Sequence, residues 1–439
     1  MDAFRVVGGN RISGKTKVHA AKNACLPIMA ASLMAEGEVT LCGCPNLTDI
    51  ANMRRILEAL GAVTYFRGDE IHIFPGSADT WEVPQELTGR LRSSIFVMGP
   101  MMARFRRAKI AYPGGCDIGQ RPIDLHLKGL TALGATIREE NGMIFAETEK
   151  LRGGETLLDF PSVGATENIM MAASLSPGRS VILNAAREPE IVDLARFINA
   201  MGGRIDGAGE SRIVIEGVSS LKGIRYRPTA DRIVAGTLLI AGAITGGCVE
   251  VEGARISDMY AVTGKLRECG CRVVGDENLV RLEADRPLHG VNIATQPYPG
   301  FPTDLQSPML ALMTTAQGTS IVTENVFENR FGYVSELRRM GADATVVGRS
   351  AVVNGGRLRG ARVRACDLRA GAALTVAALA AEGETLVTDV GYIDRGYDRL
   401  ETTLRPLGAA IERVEEYDSK EMRTCSAQTQ RKATQQRCS

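Results

Sequence analysis

Leu60-Gly61-Ala62 lies between an apolar helical segment and a strand-like segment, and this phrase decides the fold because it occurs six times. The other five copies are Leu133-Gly134-Ala135, Met201-Gly202-Gly203, Cys269-Gly270-Cys271, Met340-Gly341-Ala342 and Leu407-Gly408-Ala409. The glycines of consecutive copies are 73, 68, 68, 71 and 67 residues apart. Such near-equal spacing predicts a chain built from six copies of one structural unit.

The first copy indicates what one unit contains. Four apolar residues recur at helical spacing and predict an amphipathic helix: Ile50, Met53, Leu57 and Leu60. Thr48 or Asp49 is a candidate cap at its start, and Gly61 stands where helices commonly end in the left-handed conformation. Residues 63–66 and 71–74 then predict a β-hairpin.

A second kind of helix is apolar on nearly every side. Its six copies are predicted at Leu26–Met34, Ile95–Met101, Ile169–Leu175, Val234–Ile240, Met309–Met313 and Leu374–Leu379. A helix without a polar face is buried in a globular protein. The sequence therefore predicts an α/β fold with helices inside and sheets outside, an inside-out α/β barrel with three buried helices in each of two domains.

The length of 439 residues favours two domains over one. A boundary near Arg227-Pro228-Thr229 predicts a first domain at 19–229 and a second domain formed by 1–18 plus 230–417. Residues 418–439 are polar and rich in Gln, Thr, Arg and Lys, so we expect a disordered tail there.

Composition excludes several classes of function. The net charge of +1 gives no overall field that would attract nucleic acid or a membrane. Ten cysteines without a C-x-x-C motif, together with only four histidines, argue against a zinc site, and we expect no metal. The start of the chain has no apolar signal segment, and its longest apolar run, about Val234 to Val249, is shorter than the ~20 residues of a membrane span. We therefore expect a cytoplasmic protein.

Polar and charged residues stand just ahead of the predicted buried helices. They are Lys22-Asn23, Arg92-Ser93, Thr166-Glu167-Asn168, Asp231-Arg232, Thr303-Asp304 and Asp367-Leu368-Arg369. Helix N-termini carry free N–H groups and partial positive charge, so their clustering would create a receptor for phosphate or carboxylate between the two domains. A second interpretation stays open for Thr166, Asp231 and Asp367, which would serve simply as helix caps.

Cys116 lies in the loop Pro113-Gly-Gly-Cys116-Asp-Ile-Gly-Gln-Arg121-Pro122. Arg121 and His126 are close enough in sequence to lower the pKa of its thiol and make it reactive. Spacing alone leaves the alternative open that Cys116 is a spectator thiol.

Motifs of a known enzyme family occur along nearly the whole chain. They are Ala21-Lys22-Asn23-Ala24, Pro113 to His126, Ser162 to Asn168, Ala186 to Asp193, Phe301-Pro-Thr-Asp304, Val326 to Phe331, Asp367 to Gly371 and Ile393 to Tyr397. These stretches resemble the motifs of the UDP-N-acetylglucosamine 1-carboxyvinyltransferase family. The resemblance implies the inside-out enolpyruvyl transferase fold. It also implies transfer of enolpyruvate from phosphoenolpyruvate to the 3′-hydroxyl of UDP-N-acetylglucosamine, the first committed step of peptidoglycan precursor synthesis, without cofactor or metal.

The resemblance also implies roles for individual residues. Cys116 would protonate the enol carbon and can form a covalent phosphoenolpyruvate adduct, 2-(S-cysteinyl)pyruvic acid O-phosphothioketal, whereas Asp304 would accept the hydroxyl proton. Lys22, Arg121 and Arg395 would hold phosphoenolpyruvate. The residues expected to contact the substrates are otherwise Asn23, Arg92, Pro122, Ile123, Asp124, Leu125, Ser162, Val163, Gly164 and Val326, with Arg330 and Arg369 beside them.

Two other functions are compatible with the sequence. One is a different transferase of the same fold, against which the Cys116 loop argues. The other is a non-catalytic paralogue, against which the presence of Lys22, Cys116, Asp304 and Arg395 argues. The sequence leaves the oligomeric state unspecified.

Overall fold

The computed structural model describes residues 2–114, 122–285 and 287–415. Its α-helices are α1 Lys22–Ala31, α2 Thr48–Ala59, α3 Gln85–Thr88, α4 Met98–Phe105, α5 Asp124–Ala132, α6 Val163–Ser174, α7 Pro189–Ala200, α8 Arg232–Ile244, α9 Tyr260–Glu268, α10 Gln306–Met313, α11 Val334–Arg339, α12 Leu368–Ala380 and α13 Leu400–Leu404. Short 3₁₀ segments lead into two of them, Arg92–Val97 before α4 and Thr303–Leu305 before α10.

The strands are short and mostly three to six residues long. They are β1 Asp2–Val7, β2 Ser13–Lys17, β3 Ala35–Glu36, β4 Val39–Cys42, β5 Val63–Arg67, β6 Glu70–Phe74, β7 Arg107–Ala111, β8 Thr136–Glu140, β9 Met143–Glu147, β10 Glu155–Leu157, β11 Arg179–Leu183, β12 Ile205–Asp206, β13 Arg212–Glu216, β14 Leu221–Lys222, β15 Arg225–Tyr226, β16 Cys248–Glu252, β17 Arg272–Gly275, β18 Leu279–Glu283, β19 Ile293–Ala294, β20 Thr319–Thr323, β21 Asp343–Val347, β22 Ser350–Asn354, β23 Arg362–Arg364, β24 Glu384–Thr388 and β25 Ala410–Glu415.

Each predicted unit contributes one main sheet. The strand orders are β15-β4-β6-β5, β7-β9-β8, β10-β11-β13-β12, β17-β18-β16-β2, β19-β20-β22-β21 and β23-β24-β1-β25, with β3 and β14 paired separately. The first strand, β1, is antiparallel to both neighbours, so that Phe4 lies opposite Val387 and Arg413. The first unit contains the expected hairpin, β5 and β6, joined through Gly68 at φ 65°.

The buried apolar side chains form two clusters. One cluster draws on residues 20–221, whereas the other combines residues 4–18 with 233–411. The N-terminal strands β1 and β2 accordingly pair with strands from the second half of the chain. On this observation we propose the division into domains 19–229 and 1–18 plus 230–417. The expected disordered tail, 418–439, lies outside the described residues.

The six buried helices are α1, α4, α6, α8, α10 and α12, which confirms the inside-out arrangement. In α8 and α12 nearly every residue is buried, and each Leu or Ile removed from water contributes about 1.5–3 kcal/mol. Several helices begin earlier than the apolar pattern predicts. The polar residues ahead of the pattern belong to the first helical turn, as with Lys22 in α1 and Arg232 in α8.

The repeated glycines end the amphipathic helices as expected. They follow α2, α5, α7, α9, α11 and α13, and their φ angles are 95° at Gly61, 97° at Gly134, 107° at Gly202, 106° at Gly270, 90° at Gly341 and 105° at Gly408. Residues with a Cβ rarely adopt such angles, so glycine lets the chain leave each helix and enter the next strand.

The predicted caps have mixed outcomes. Asp231 caps α8 by accepting from the N–H groups of Ile233 and Val234, both at 2.9 Å, and Asp367 caps α12 in the same way. Thr166 lies inside α6 and caps nothing, because Ser162 is the N-cap. The prediction of a cap for α2 at Thr48 or Asp49 is wrong. Both residues lie within the helix, and the Asp49 carboxylate binds two cations instead.

Replacement of Gly202 by alanine tests the role of the repeated glycines. A Cβ at Gly202 meets no atom within 4 Å, so the substitution isolates backbone strain from steric clash. We expect Gly202→Ala to lower the free energy of unfolding by about 1–2 kcal/mol. In the matched control Gly264→Ala, within α9, the added Cβ also meets open space, and we expect a gain of about 0.5–1 kcal/mol. Urea denaturation of both variants measures the difference, and equal effects would contradict the argument.

Candidate active site

The N-termini of all six buried helices converge on one cleft, as the sequence predicts. Its lining includes Lys22 at the start of α1, Ser162 at α6, Arg232 at α8 and Asp304 ahead of α10. The cleft has a volume of about 770 Å³, within the range of pockets that hold small organic ligands. It lies between the two apolar clusters, because residues from both halves of the chain line it.

Most of the predicted site residues lie in this cleft. They are Lys22, Asn23, Arg92, Pro122, Asp124, Leu125, Ser162, Val163, Gly164, Asp304, Val326, Arg330, Arg369 and Arg395. Ile123 does not line the cleft with its side chain, which is buried in the first apolar core just before α5, so its contact with substrate stays a prediction. Cys116 and Arg121 lie outside the described residues, so their predicted roles rest on the sequence.

Asp304 is held between two arginines. Arg330 donates to Oδ1 at 2.9 Å and Arg369 donates to Oδ2 at 3.0 Å. Burial alone raises the pKa of Asp304, but attraction to Arg369, Arg330 and Lys22 outweighs it and brings the pKa well below the ordinary value. Asp304 is therefore ionised at neutral pH, with both oxygens oriented by buried guanidinium groups.

Asp49 joins the two described cations that were predicted to hold phosphoenolpyruvate. Lys22 Nζ donates to Oδ2 and Arg395 Nε donates to Oδ1, both at 3.0 Å. The Asp49 side chain is only 3% exposed, and burial raises its pKa, yet Lys22 and Arg395 shift the pKa below its ordinary value. Sequence reasoning missed this role because an aspartate in a first helical turn is usually a cap or a dipole partner.

His126 does not supply the positive charge predicted near Cys116. Burial and repulsion by Arg92 lower the pKa of His126 to about 3, so the ring is neutral at pH 7. Asn168 donates from Nδ2 to His126 Nδ1 at 2.8 Å, which places the ring proton on Nε2. The prediction that His126 lowers the pKa of the thiol by its charge is therefore wrong.

Three glutamates, Glu167, Glu188 and Glu190, lie on one side of the cleft and were not predicted from the sequence. Arg232 forms a two-point contact with Glu190, at 3.1 and 3.2 Å, and Glu188 accepts from the backbone N–H of Tyr298 at 3.4 Å. Glu167 is fully buried, and neither of its carboxyl oxygens has a hydrogen-bond partner among the described residues. Burial, with repulsion from Glu190 and Glu188, raises the pKa of Glu167 well above its ordinary value. Glu188 and Glu190 belong to the motif that begins at Ala186, but their spacing does not indicate that they lie beside Arg232 and Glu167.

Comparison with known proteins identifies the family. The family model for EPSP synthase (3-phosphoshikimate 1-carboxyvinyltransferase) matches residues 6–404. UDP-N-acetylglucosamine 1-carboxyvinyltransferase 2 of Carboxydothermus hydrogenoformans is 50% identical over 417 residues, which are 94% of this chain and 100% of the relative. UDP-N-acetylglucosamine 1-carboxyvinyltransferase 1 of Staphylococcus aureus is 50% identical over 419 residues, with the same coverage. The chain belongs to the UDP-N-acetylglucosamine 1-carboxyvinyltransferase family.

Solved structures share the fold of this carboxyvinyltransferase family member. The enolpyruvyl transferase NikO from Streptomyces tendae superposes with a TM-score of 0.86 at 24% identity, over 95% of this chain and 99% of that one. EPSP synthase from Acinetobacter baumannii gives a TM-score of 0.74 at 17% identity, over 94% and 100%. Both confirm the enolpyruvyl transferase fold that the sequence predicts.

The described residues of this family member also bear on membrane spans and metal sites. Within residues 2–114, 122–285 and 287–415, no helix has the length and apolar character that crossing a membrane requires. In the same ranges, no three His, Cys, Asp or Glu side chains are grouped so that they could hold a metal ion.

Glu167 gives this carboxyvinyltransferase a pH-dependent stability. Because its pKa is raised on folding, the folded state keeps a proton that the unfolded chain releases above about pH 4.5, so stability falls as the pH rises. Glutamine mimics the protonated form and cannot ionise. We expect Glu167→Gln to raise the thermal midpoint at pH 8.5 by about 2–4 °C per kcal/mol recovered, and by much less at pH 4.5.

Thermal denaturation at the two pH values measures this effect. Glu139→Gln, at an exposed position of β8, is the control and should leave both midpoints unchanged. A stability difference for Glu167→Gln that is the same at both pH values would refute the buried neutral acid.

Proposed function

We propose that this chain transfers the enolpyruvyl group of phosphoenolpyruvate to the 3′-hydroxyl of UDP-N-acetylglucosamine and releases phosphate. The observation that carries the proposal is the 50% identity, over 94% of the chain, to enzymes named for this reaction. On this proposal the product is a precursor of peptidoglycan and the reaction takes place in the cytoplasm.

Phosphoenolpyruvate is highly anionic, and the cleft offers cations for it. Lys22 lies at the start of α1, where the helix dipole adds partial positive charge, and Arg395 approaches from the second half of the chain. Only 12% of the Lys22 side chain and 19% of the Arg395 side chain are exposed, so their charges act with weak solvent screening. Arg121 is the third proposed cation, and Asn23 lies beside Lys22 to contact both substrates.

Asp304 is the proposed acceptor of the hydroxyl proton. The two arginines keep it ionised, so it can receive a hydrogen bond from the sugar hydroxyl across the working pH range. They also make it a weak base. Proton transfer must therefore accompany formation of the new carbon–oxygen bond, because the hydroxyl becomes acidic only as its oxygen bonds to carbon.

Cys116 is the proposed acid. Its thiol proton passes to the methylene carbon of phosphoenolpyruvate, the hydroxyl oxygen bonds to the central carbon, and a tetrahedral ketal forms. Loss of a proton from the new methyl group and cleavage of the bond to the phosphate oxygen then give the enolpyruvyl sugar and phosphate. These two steps balance in atoms and electrons without an oxidant, a reductant or a metal.

The sugar nucleotide is proposed to lie along the first-domain side of the cleft. Arg92 and the start of α6, where Val163 and Gly164 form the first helical turn and Ser162 is the N-cap, suit its diphosphate. Pro122 and Leu125 supply apolar surface for the uracil ring, with Asp124 between them, and Val326 closes the opposite side.

Phosphate release tests the proposed function directly. We expect phosphate to be released from phosphoenolpyruvate when UDP-N-acetylglucosamine is present, and at a rate at least ~100-fold lower without it. 3-Phosphoshikimate serves as the alternative acceptor and should give no stimulation. Stimulation by 3-phosphoshikimate alone would assign a different transfer reaction. Phosphate release that neither acceptor stimulates would refute the proposal.

Replacement of Cys116 tests the acid. Serine is a far weaker acid than cysteine, so Cys116→Ser should reduce turnover at least ~100-fold while calorimetric binding of UDP-N-acetylglucosamine persists. The epoxide fosfomycin should alkylate the wild-type thiol and leave the variant unmodified in a mass spectrum. A serine variant with full activity would eliminate the acid role of Cys116.

A further inference from the structure

We propose that Asp49 is a positioning residue that holds Lys22 and Arg395 together as a two-cation receptor for phosphoenolpyruvate. The inference rests on the proposed function and extends it to Asp49, which acts through the two cations. The carboxylate uses one oxygen for each cation, at 3.0 Å in both contacts.

The three partners come from separate parts of the fold. Lys22 begins α1, Asp49 lies in the first turn of α2, and Arg395 ends the 3₁₀ segment Val390–Arg395. Lys22 and Asp49 belong to the half of the chain that forms the first apolar cluster, whereas Arg395 belongs to the other half. The single carboxylate therefore fixes a cation from one half against a cation from the other.

Electrostatics explains why a carboxylate is needed at this position. Two cations that face the same small ligand repel each other, and their low exposure leaves little water to screen them. Asp49 offsets this repulsion and also sets the direction of each side chain. Its lowered pKa keeps it ionised throughout the neutral range.

Asp49 has two opposing effects on phosphoenolpyruvate binding, and the change in affinity when it is removed shows which one is stronger. Asp49 is itself an anion, so it also weakens the attraction of the cation pair for phosphoenolpyruvate. If neutralisation of the two cations by Asp49 were the stronger effect, removal of the carboxylate would tighten phosphoenolpyruvate binding. Positioning is the stronger effect, because two flexible side chains from different halves lose their common geometry without the shared carboxylate.

The same junction provides a matched control. Asp398, three residues after Arg395, accepts from the backbone N–H of Asn46 at 3.0 Å and so also joins the two halves. Its carboxylate does not contribute to the cleft lining that contains Lys22 and Arg395. Asp398→Asn therefore removes one negative charge at the junction without changing the cation pair.

The experiment is a steady-state comparison of wild type, Asp49→Asn, Asp49→Glu and Asp398→Asn by phosphate release. Asparagine keeps one acceptor oxygen and turns its NH₂ group towards the other cation. We expect Asp49→Asn to raise the KM for phosphoenolpyruvate at least 10-fold and to change the KM for UDP-N-acetylglucosamine less than 2-fold. Asp49→Glu should recover part of the loss, and Asp398→Asn should match wild type.

Each outcome is decisive. A lower or unchanged KM for phosphoenolpyruvate in Asp49→Asn, equal rises in both KM values, or an equal effect of Asp398→Asn would overturn the positioning role. If Asp49→Asn fails to fold, Asp49→Glu decides, since a phosphoenolpyruvate-selective rise in KM supports the proposal and a rise shared by both substrates overturns it. Absence of acceptor-dependent phosphate release in wild type would refute the proposed function instead.

Discussion

The convergence of six buried helix N-termini on one cleft is the constraint on which the rest of the structure depends. Helices such as α8 and α12 are apolar on all sides and can be stable only when surrounded by other elements. Their first N–H groups open on the cleft and require partners there. Ser162, Asp231 and Asp367 accept from such groups at α6, α8 and α12, and residues at the helix starts line the site.

Carboxylates balance the cations that this arrangement gathers. Asp304 lies between two arginines and Asp49 between a lysine and an arginine, with one oxygen for each partner in both cases. Removing one member of such a buried group costs about 3–5 kcal/mol, because it leaves an uncompensated charge. Stability and substrate binding therefore depend on the same contacts, which narrows the substitutions that either can tolerate.

Much of the fold was predictable from the sequence because the same local pattern recurs in all six units, so that each copy supports the interpretation of the others. The glycine after each amphipathic helix is a backbone requirement, and the six positive φ values follow directly from it. The role of Asp49, the neutral state of His126 and the isolation of Glu167 were not predictable. Each depends on groups brought together from distant segments or on burial, and a first-turn aspartate looks the same in sequence whether it caps a helix or binds cations.

The fold alone does not select the reaction. NikO shares the architecture at 24% identity, so the ring of helix starts can be kept while most side chains change. In this chain the N-cap positions of α1, α6, α8 and α12 carry Ala21, Ser162, Asp231 and Asp367, of which the last three accept from helix N–H groups. Lys22 follows the non-capping Ala21 and faces the cleft, so the side chains at each helix start determine whether they complete the helix or face a substrate. The chemistry therefore depends on the asymmetry among six similar units, and the carboxylates Asp49 and Asp304, each of which bridges two cations, contribute to that asymmetry.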